Sequence, residues 1–262
     1  VFSKATGKWH VLERGAVMPL LQGENVRRYL MPEPHNWIIF PYRRLEAKVT
    51  LLPEEDMARS YPLCFEYLLQ NKAVLRGRPR LSQPATRWYA FGQQKNMALQ
   101  FSPKICVPRL CTRLGFTFDD KGIYCQDNVD VCGIALPDES RYSFHYLLGI
   151  LNSRLLDHHF QIISAPFQGG YRSANRQFLE PLPIRRIDFG NTTDKAMHDG
   201  VVALVERMLE LQQRIQPLRG TGLTEEQDLL REIEQADREI DALVYELYGL
   251  TEGERRLVEG EG

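Results

Sequence analysis

Apolar positions along this chain follow two periods. Up to about residue 140 they come in short runs of strand type apart from one helical stretch near residues 60–75, and beyond it they recur at helical spacing. Trp37-Ile38-Ile39-Phe40, Ile105-Cys106-Val107, Phe116-Thr117-Phe118, Ile123-Tyr124-Cys125 and Val131-Cys132-Gly133-Ile134 predict strands. The turn residues Asp119-Asp120-Lys121-Gly122 predict a hairpin between two of them. Ser60, with Pro62 in the first turn, predicts a helix to about Leu75 carried by Leu63, Leu68, Leu69 and Leu75. Ser143 predicts the cap of another, from Phe144 to about Phe160, with Leu147, Leu148, Leu151 and Leu155 on one face. His158 and His159 near its end read as partners for helix-terminal carbonyls. Leu179-Glu180-Pro181-Leu182-Pro183-Ile184 reads as an extended exit strand.

The last seventy residues change character. Met197, Val201, Leu204, Met208, Leu211, Ile215 and Leu218 alternate spacings of four and three, an a/d seam. Gly220 and Gly222 break it, and Thr224-x-x-Gln227 predicts a capping box that opens a second helix. Leu229, Ile233, Ala236, Ile240, Leu243 and Leu247 continue the seam until Gly249; Thr251-x-x-Glu254 opens a short last helix. The pattern predicts an α+β chain: a domain over residues 1–190 and an antiparallel helical hairpin over 191–262. What the seam packs against is left open.

Composition narrows the class. With 262 residues, 43% hydrophobic and 26% charged, the chain has the make-up of a soluble globular protein able to bury a sizeable core. No apolar run approaches the roughly 20 residues a bilayer span needs. The opening VFSKATGKWH lacks an apolar core and predicts no secretory leader, and a start at Val1 is read as that of an excised fragment. Five cysteines without a C-x-x-C pair predict reduced, buried thiols of a cytoplasmic protein rather than a disulfide framework or zinc site. The net charge of −1 hides a contrast. Residues 1–190 carry 25 Lys and Arg against 17 Asp and Glu, or +8; residues 191–262 carry 8 against 17, or −9. The first part can attract a polyanion, and the second would repel one.

The chemistry that fits a polyanion lies in that basic part. Arg27 and Arg28 precede Tyr29, Arg43 and Arg44 follow Tyr42, and Arg76, Arg78 and Arg80 fall within five residues. The stretch from Trp88 to Leu110 joins an aromatic pair to Gln93, Gln94, Lys95 and Asn96, then to Lys104 and Arg109. Gln168-Gly169-Gly170-Tyr171-Arg172, with Asn175 and Arg176, adds a glycine-hinged polar loop. Cations neutralise phosphates, and Gln, Asn and Arg make bidentate bonds to base edges. Each element alone also fits a solvated loop, and Trp88 with Tyr89 also fits a hairpin core. The glycine loop lacks both phosphate-cradling patterns, G-x-x-x-x-G-K-[ST] and G-x-G-x-x-G.

Taken in order, these pieces resemble the TaqI-like C-terminal specificity domain, the target-recognition region of Type IIG restriction-modification enzymes and N6-adenine DNA methyltransferases. The matching stretches are Gly23-Glu24-Asn25-Val26-Arg27-Arg28-Tyr29, Trp88-Tyr89, Ser102-Pro103-Lys104-Ile105 and Leu151-Asn152-Ser153-Arg154-Leu155-Leu156. They continue with Gly169-Gly170-Tyr171, Phe178 to Ile184, and Val244-Tyr245-Glu246-Leu247-Tyr248-Gly249-Leu250-Thr251.

The resemblance implies a target-recognition domain of mixed, twisted sheet packed on helices, acting on double-stranded DNA. It implies a methyltransferase or nuclease domain in cis, or such a subunit in trans, as the catalytic partner. Arg27, Arg28, Arg43, Arg44, Arg76, Arg78, Arg80, Lys104 and Arg109 would hold phosphates, with Trp88 beside the DNA. Gln93 to Asn96 and Gln168 to Arg176 would read bases. The Asn-Pro-Pro-Tyr/Phe motif and the glycine-rich S-adenosylmethionine motif of such methyltransferases are missing, and Glu46-Ala47-Lys48 is only half a nuclease motif. The chain is therefore expected to be non-catalytic and to hold no cofactor, with S-adenosylmethionine and Mg required only by the parent polypeptide. The helical tail is also similar to that of Type I specificity subunits, which implies the alternative of a docking module for methyltransferase or nuclease subunits.

Overall fold

Lys104–Pro108 is the central strand of an antiparallel sheet, with Val131–Ile134 on one side and Thr117–Asp119 on the other. The computed structural model describes every residue except Pro32, Ala47, residues 79–86, Lys95, Asp138 and residues 261–262. It is of the α+β class. The chain forms two compact units. One comprises Val1–Leu21, Glu33–Pro103 and Lys121–Gln126; the other comprises Gln22–Pro32, Lys104–Asp120 and Asp127–Gly262.

In the first unit, Val17–Leu21 pairs antiparallel with Asn36–Ile39 and parallel with Cys125–Gln126. The hairpin expected around Asp119–Gly122 does not form, because its two arms pair with other strands. A hairpin does join Tyr42–Leu45 to Lys48–Leu51. The single helix expected from Ser60 is three short ones: α1 (Glu54–Ser60), α2 (Pro62–Gln70) and α3 (Lys72–Arg76). Ser60 ends α1 instead of capping a helix. Pro62 opens α2, where a missing N–H costs nothing. The Glu13 carboxylate accepts from the N–H groups of Leu63 and Cys64 at 2.8 and 3.0 Å, satisfying donors of that first turn from fifty residues away. Met57, Cys64, Leu68, Trp88 and Tyr89 form the core here.

The second unit contains α4 (Phe144–Asn152), α5 (Arg154–Ile163), α6 (Arg176–Leu179), α7 (Thr192–Ile215), α8 (Thr224–Tyr248) and α9 (Glu252–Glu259). Ser143 caps α4 as predicted, its Oγ accepting from the Tyr146 N–H at 2.9 Å. The helix stops early, at Ser153. That residue is extended; its hydroxyl donates to the Ile150 carbonyl at 2.7 Å and accepts from the Leu156 N–H at 3.3 Å, so it closes α4 and caps α5. The expected exit strand at 179–184 is instead the end of α6 and a turn that buries Leu182.

The helical hairpin is present. Val201, Val205, Met208, Leu211 and Ile215 of α7 meet one core with Leu229, Ala236, Ile240, Val244 and Leu247 of α8. Val205 takes the buried position predicted for Leu204. Thr224 is the first residue of α8 rather than its cap; Glu226 instead accepts from the N–H groups of Gly220 and Gly222 at 2.7 and 2.8 Å. The Thr251–Glu254 capping box forms, and Gly249 closes α8 at φ 68°. Gly149 of α4 lets α7 approach: a Cβ there would lie 2.7 Å from Val201 Cγ1 and 2.8 Å from Val205 Cγ2. The hairpin thus packs against the rest of its own unit, and the compact units do not divide at residue 190.

Candidate nucleic-acid interface

The structure sorts the predicted contact residues into those that face solvent and those spent inside the fold. In the first unit the hairpin register sets Arg43 opposite Thr50 and Leu45 opposite Lys48. Alternation puts these four on one face, and all four are exposed. Tyr42, at the root, is buried, and its hydroxyl accepts from the Phe91 N–H at 2.5 Å. Arg43 stands 3.9 Å from Asp56, and Arg44 donates to the carbonyls of Glu46 and Phe101 at 3.0 and 3.2 Å. The hairpin therefore offers Arg43, Lys48 and Thr50 outward on a ribbon tethered at its base. Neither Lys48 nor Thr50 was singled out by sequence as a DNA contact. Their alternation with Val49 carries the signal, but only once Arg43 is known to be their cross-strand neighbour.

Arg76, at the end of α3, and Gln93 are exposed. Asn96 is exposed in left-handed conformation (φ 54°), which asparagine tolerates better than most residues. Gln94 is half-buried. Arg80 and Lys95 lie outside the described residues.

Two readings in this unit are corrected. Trp88 is only 1% exposed, and its indole N–H donates to Glu54 Oε1 at 2.9 Å, so it is core rather than a face for DNA. Arg78 donates to the carbonyls of Leu75, Trp88 and Ala90 at 2.9 to 3.0 Å, which makes it a clamp on its own backbone.

In the second unit Arg27 is exposed, and its guanidinium also donates to the carbonyls of Glu24 and Val26. Arg28 is not available to a phosphate. It binds the Asn152 carbonyl through Nε and Nη2 and the Asp237 carboxylate at 2.7 Å, joining its own segment to α4 and α8. Lys104 is corrected as well. It is 2% exposed and its Nζ sits 2.7 Å from Oδ2 of Asp119, itself 1% exposed and its direct register partner. Arg109 is half-buried beside Cys132 Sγ at 3.4 Å. Burial pushes the Cys106 and Cys111 thiols up to about 12, so both stay protonated and inert at neutral pH.

The glycine-hinged loop folds as a ribbon. The Phe167 N–H donates to the Tyr171 carbonyl at 2.6 Å, Pro166 bridges Arg172, and Arg172 and Ser173 pair with Cys111 and Leu110. Gly169 and Gly170 form the tip with φ 76° and 77°, values only glycine adopts cheaply. Arg172 points inward, donating to Gln161 Oε1 at 2.7 Å and the Ser164 carbonyl at 2.9 Å. It anchors the ribbon to α5 and cannot also read a base. Asn175 is half-buried and donates to Ser173 Oγ at 2.9 Å. Gln168, Gly169, Gly170, Tyr171 and Arg176 remain exposed, the last paired with Glu180 at 3.1 Å. No helix among the described residues is long and apolar enough to cross a membrane.

The outward cations of the first unit's hairpin and the outward Gln168 of the second unit's ribbon can be set against known proteins. The pattern of the TaqI-like C-terminal specificity domain matches residues 18–184. The chain belongs to this family. It is also 23% identical over 228 residues to the Type II restriction enzyme and methyltransferase RM.Eco57I of Escherichia coli, covering 83% of this chain and 22% of that protein. Among solved structures it is similar to that titled "Structure of Type IIL restriction-modification enzyme MmeI in complex with DNA has implications for engineering of new specificities". The TM-score is 0.56 at 14% identity, covering 91% of this chain and 29% of the other. The specificity domain thus shares the fold of part of that enzyme, and it spans about a fifth of the length of its curated relative.

Proposed function

We propose that this specificity domain is a sequence-specific reader of double-stranded DNA, acting within a Type IIG restriction-modification or N6-adenine methyltransferase polypeptide in the cytoplasm. The observation that carries the reading is family membership over residues 18–184. The exposed cations and amides of each unit support it. Arg27, Arg43, Lys48 and Arg76 supply phosphate contacts that fix register. Thr50, Gln93, Asn96 and Gln168 supply groups that read base edges.

The domain has no catalytic role of its own. It positions the duplex for a catalytic domain in cis or a subunit in trans, which flips the target base and holds S-adenosylmethionine and Mg. The docking-module alternative drew on the a/d seam, and that seam is filled within the unit. Selection of duplexes by this chain from a randomised pool tests the proposal. Recovery of one short consensus is the expected result; retention of DNA without any enriched sequence overturns it.

A further inference from the structure

The ribbon of residues 165–173 has a second face that the reading above leaves unused. Its inner face is set by Arg172, by Pro166, which bridges it, and by Cys111, its register partner; Arg172 is tied to α5. Alternation sends Phe167, Tyr171 and Leu110 to the opposite face. These three are 59%, 47% and 45% exposed, although apolar rings and leucines on a strand normally seek cover.

Three features specify what would cover them. The tip between the two rings is Gln168-Gly169-Gly170, so two of its three residues carry no side chain to hold a flat partner away. The rings stand on a ribbon braced by the Phe167–Tyr171 backbone bond and the Arg172 anchor, so they are presented rather than floppy. Exposed cations follow each strand of this face, Arg113 (68%) shortly after Leu110 and Arg176 (86%) shortly after Tyr171. Arg176 is held only by a surface pair with Glu180, of the kind a phosphate displaces at little cost, whereas Arg113 reaches outward from the mostly buried Asp157 carboxylate. Aromatic faces beside exposed cations suit nucleobases, whose flat faces become available where a stacked step opens.

We propose that Phe167 and Tyr171 form a stacking wedge that enters one base step of the bound duplex and lies against the base face it opens. The inference rests on the DNA-reading function above. It differs from groove reading in requiring the duplex to be distorted.

The test uses this 262-residue chain and its selected duplex, with 2-aminopurine substituted at each position in turn. Binding raises the fluorescence several-fold at one position or two adjacent ones. The Phe167→Leu, Tyr171→Leu double variant loses that rise and binds roughly ten-fold more weakly, whereas Tyr171→Phe keeps both. Matching thermal unfolding of the variants excludes a folding defect; should the double variant unfold, the two single leucine variants decide by the same loss. Binding with no rise at any position overturns the wedge alone. So does a rise that survives loss of both rings, which would leave the face to a protein partner. Failure to bind any duplex, read by anisotropy, overturns the reading function and the wedge with it.

Discussion

Lys104 and Asp119 are opposite charges removed from water side by side, and the pair shows how much a single residue's role depends on burial. Desolvating two ions costs several kcal/mol each, and that cost is offset only while both remain. Lys104→Ala should therefore destabilise the protein by about 3–5 kcal/mol in urea denaturation. A combined Lys104→Met, Asp119→Leu replacement should recover most of that loss. A Lys104→Ala variant of unchanged stability but weakened DNA binding would return the residue to the surface role the sequence suggested.

Asp241 makes the opposite case. Burial is the main cause that lifts its carboxyl to about 6, with nearby Asp237 adding to the lift, while the Arg154 N–H, Arg28 and Arg154 oppose it. The folded protein thus keeps a proton that the unfolded chain releases near pH 4, so this site loses stability as pH rises from about 4 through about 6. Asp241→Asn cannot titrate. Its stability relative to the parent should rise by on the order of 1–3 kcal/mol between pH 4.5 and 7.5, measured by urea denaturation at both. A relative fall would mean that the ion pair with Arg154 outweighs the burial.

Elements that depend on local chemistry were the legible ones. The a/d spacing of α7 and α8, the Ser143 cap and the Thr251–Glu254 box are all written within a few residues. The elements that were misjudged depend on distant partners. Glu13 splits what looked like one helix by serving the start of α2, and Lys104 looked solvent-facing until Asp119 came opposite it. Arg28, Arg78 and Arg172 each carry the composition of a phosphate contact yet spend it on carbonyls or on Asp237. Sequence gives a cation's identity, but its availability follows only from where the backbone carbonyls end up.

One element junction is sharp enough to predict. Replacing a helical glycine by alanine ordinarily stabilises by about 1 kcal/mol. At Gly149 the new methyl would meet two valines of α7 whose χ1 angles are stiff, and overpacking costs about 1–3 kcal/mol. Gly149→Ala should thus lower stability by up to about 2 kcal/mol on thermal or urea unfolding. A gain would mean that α4 and α7 separate at little cost.

At the scale of the whole molecule, a chain of net charge −1 concentrates its surplus of cations before residue 190 and its surplus of acids in the closing helices. That asymmetry, with family membership and the exposed amides Gln93, Asn96 and Gln168, points to sequence-specific DNA reading. Electrostatics alone would bind any duplex, with an affinity that falls steeply as salt rises. Base reading adds a term that scrambling the site removes, about 1–3 kcal/mol for each altered base pair. The most direct measurement is a pair of anisotropy titrations, at one physiological salt concentration, of the selected duplex and of a version with four base pairs changed. Base reading predicts a gap of at least about 4 kcal/mol, roughly a thousand-fold in affinity. Equal affinity for the two duplexes would contradict it.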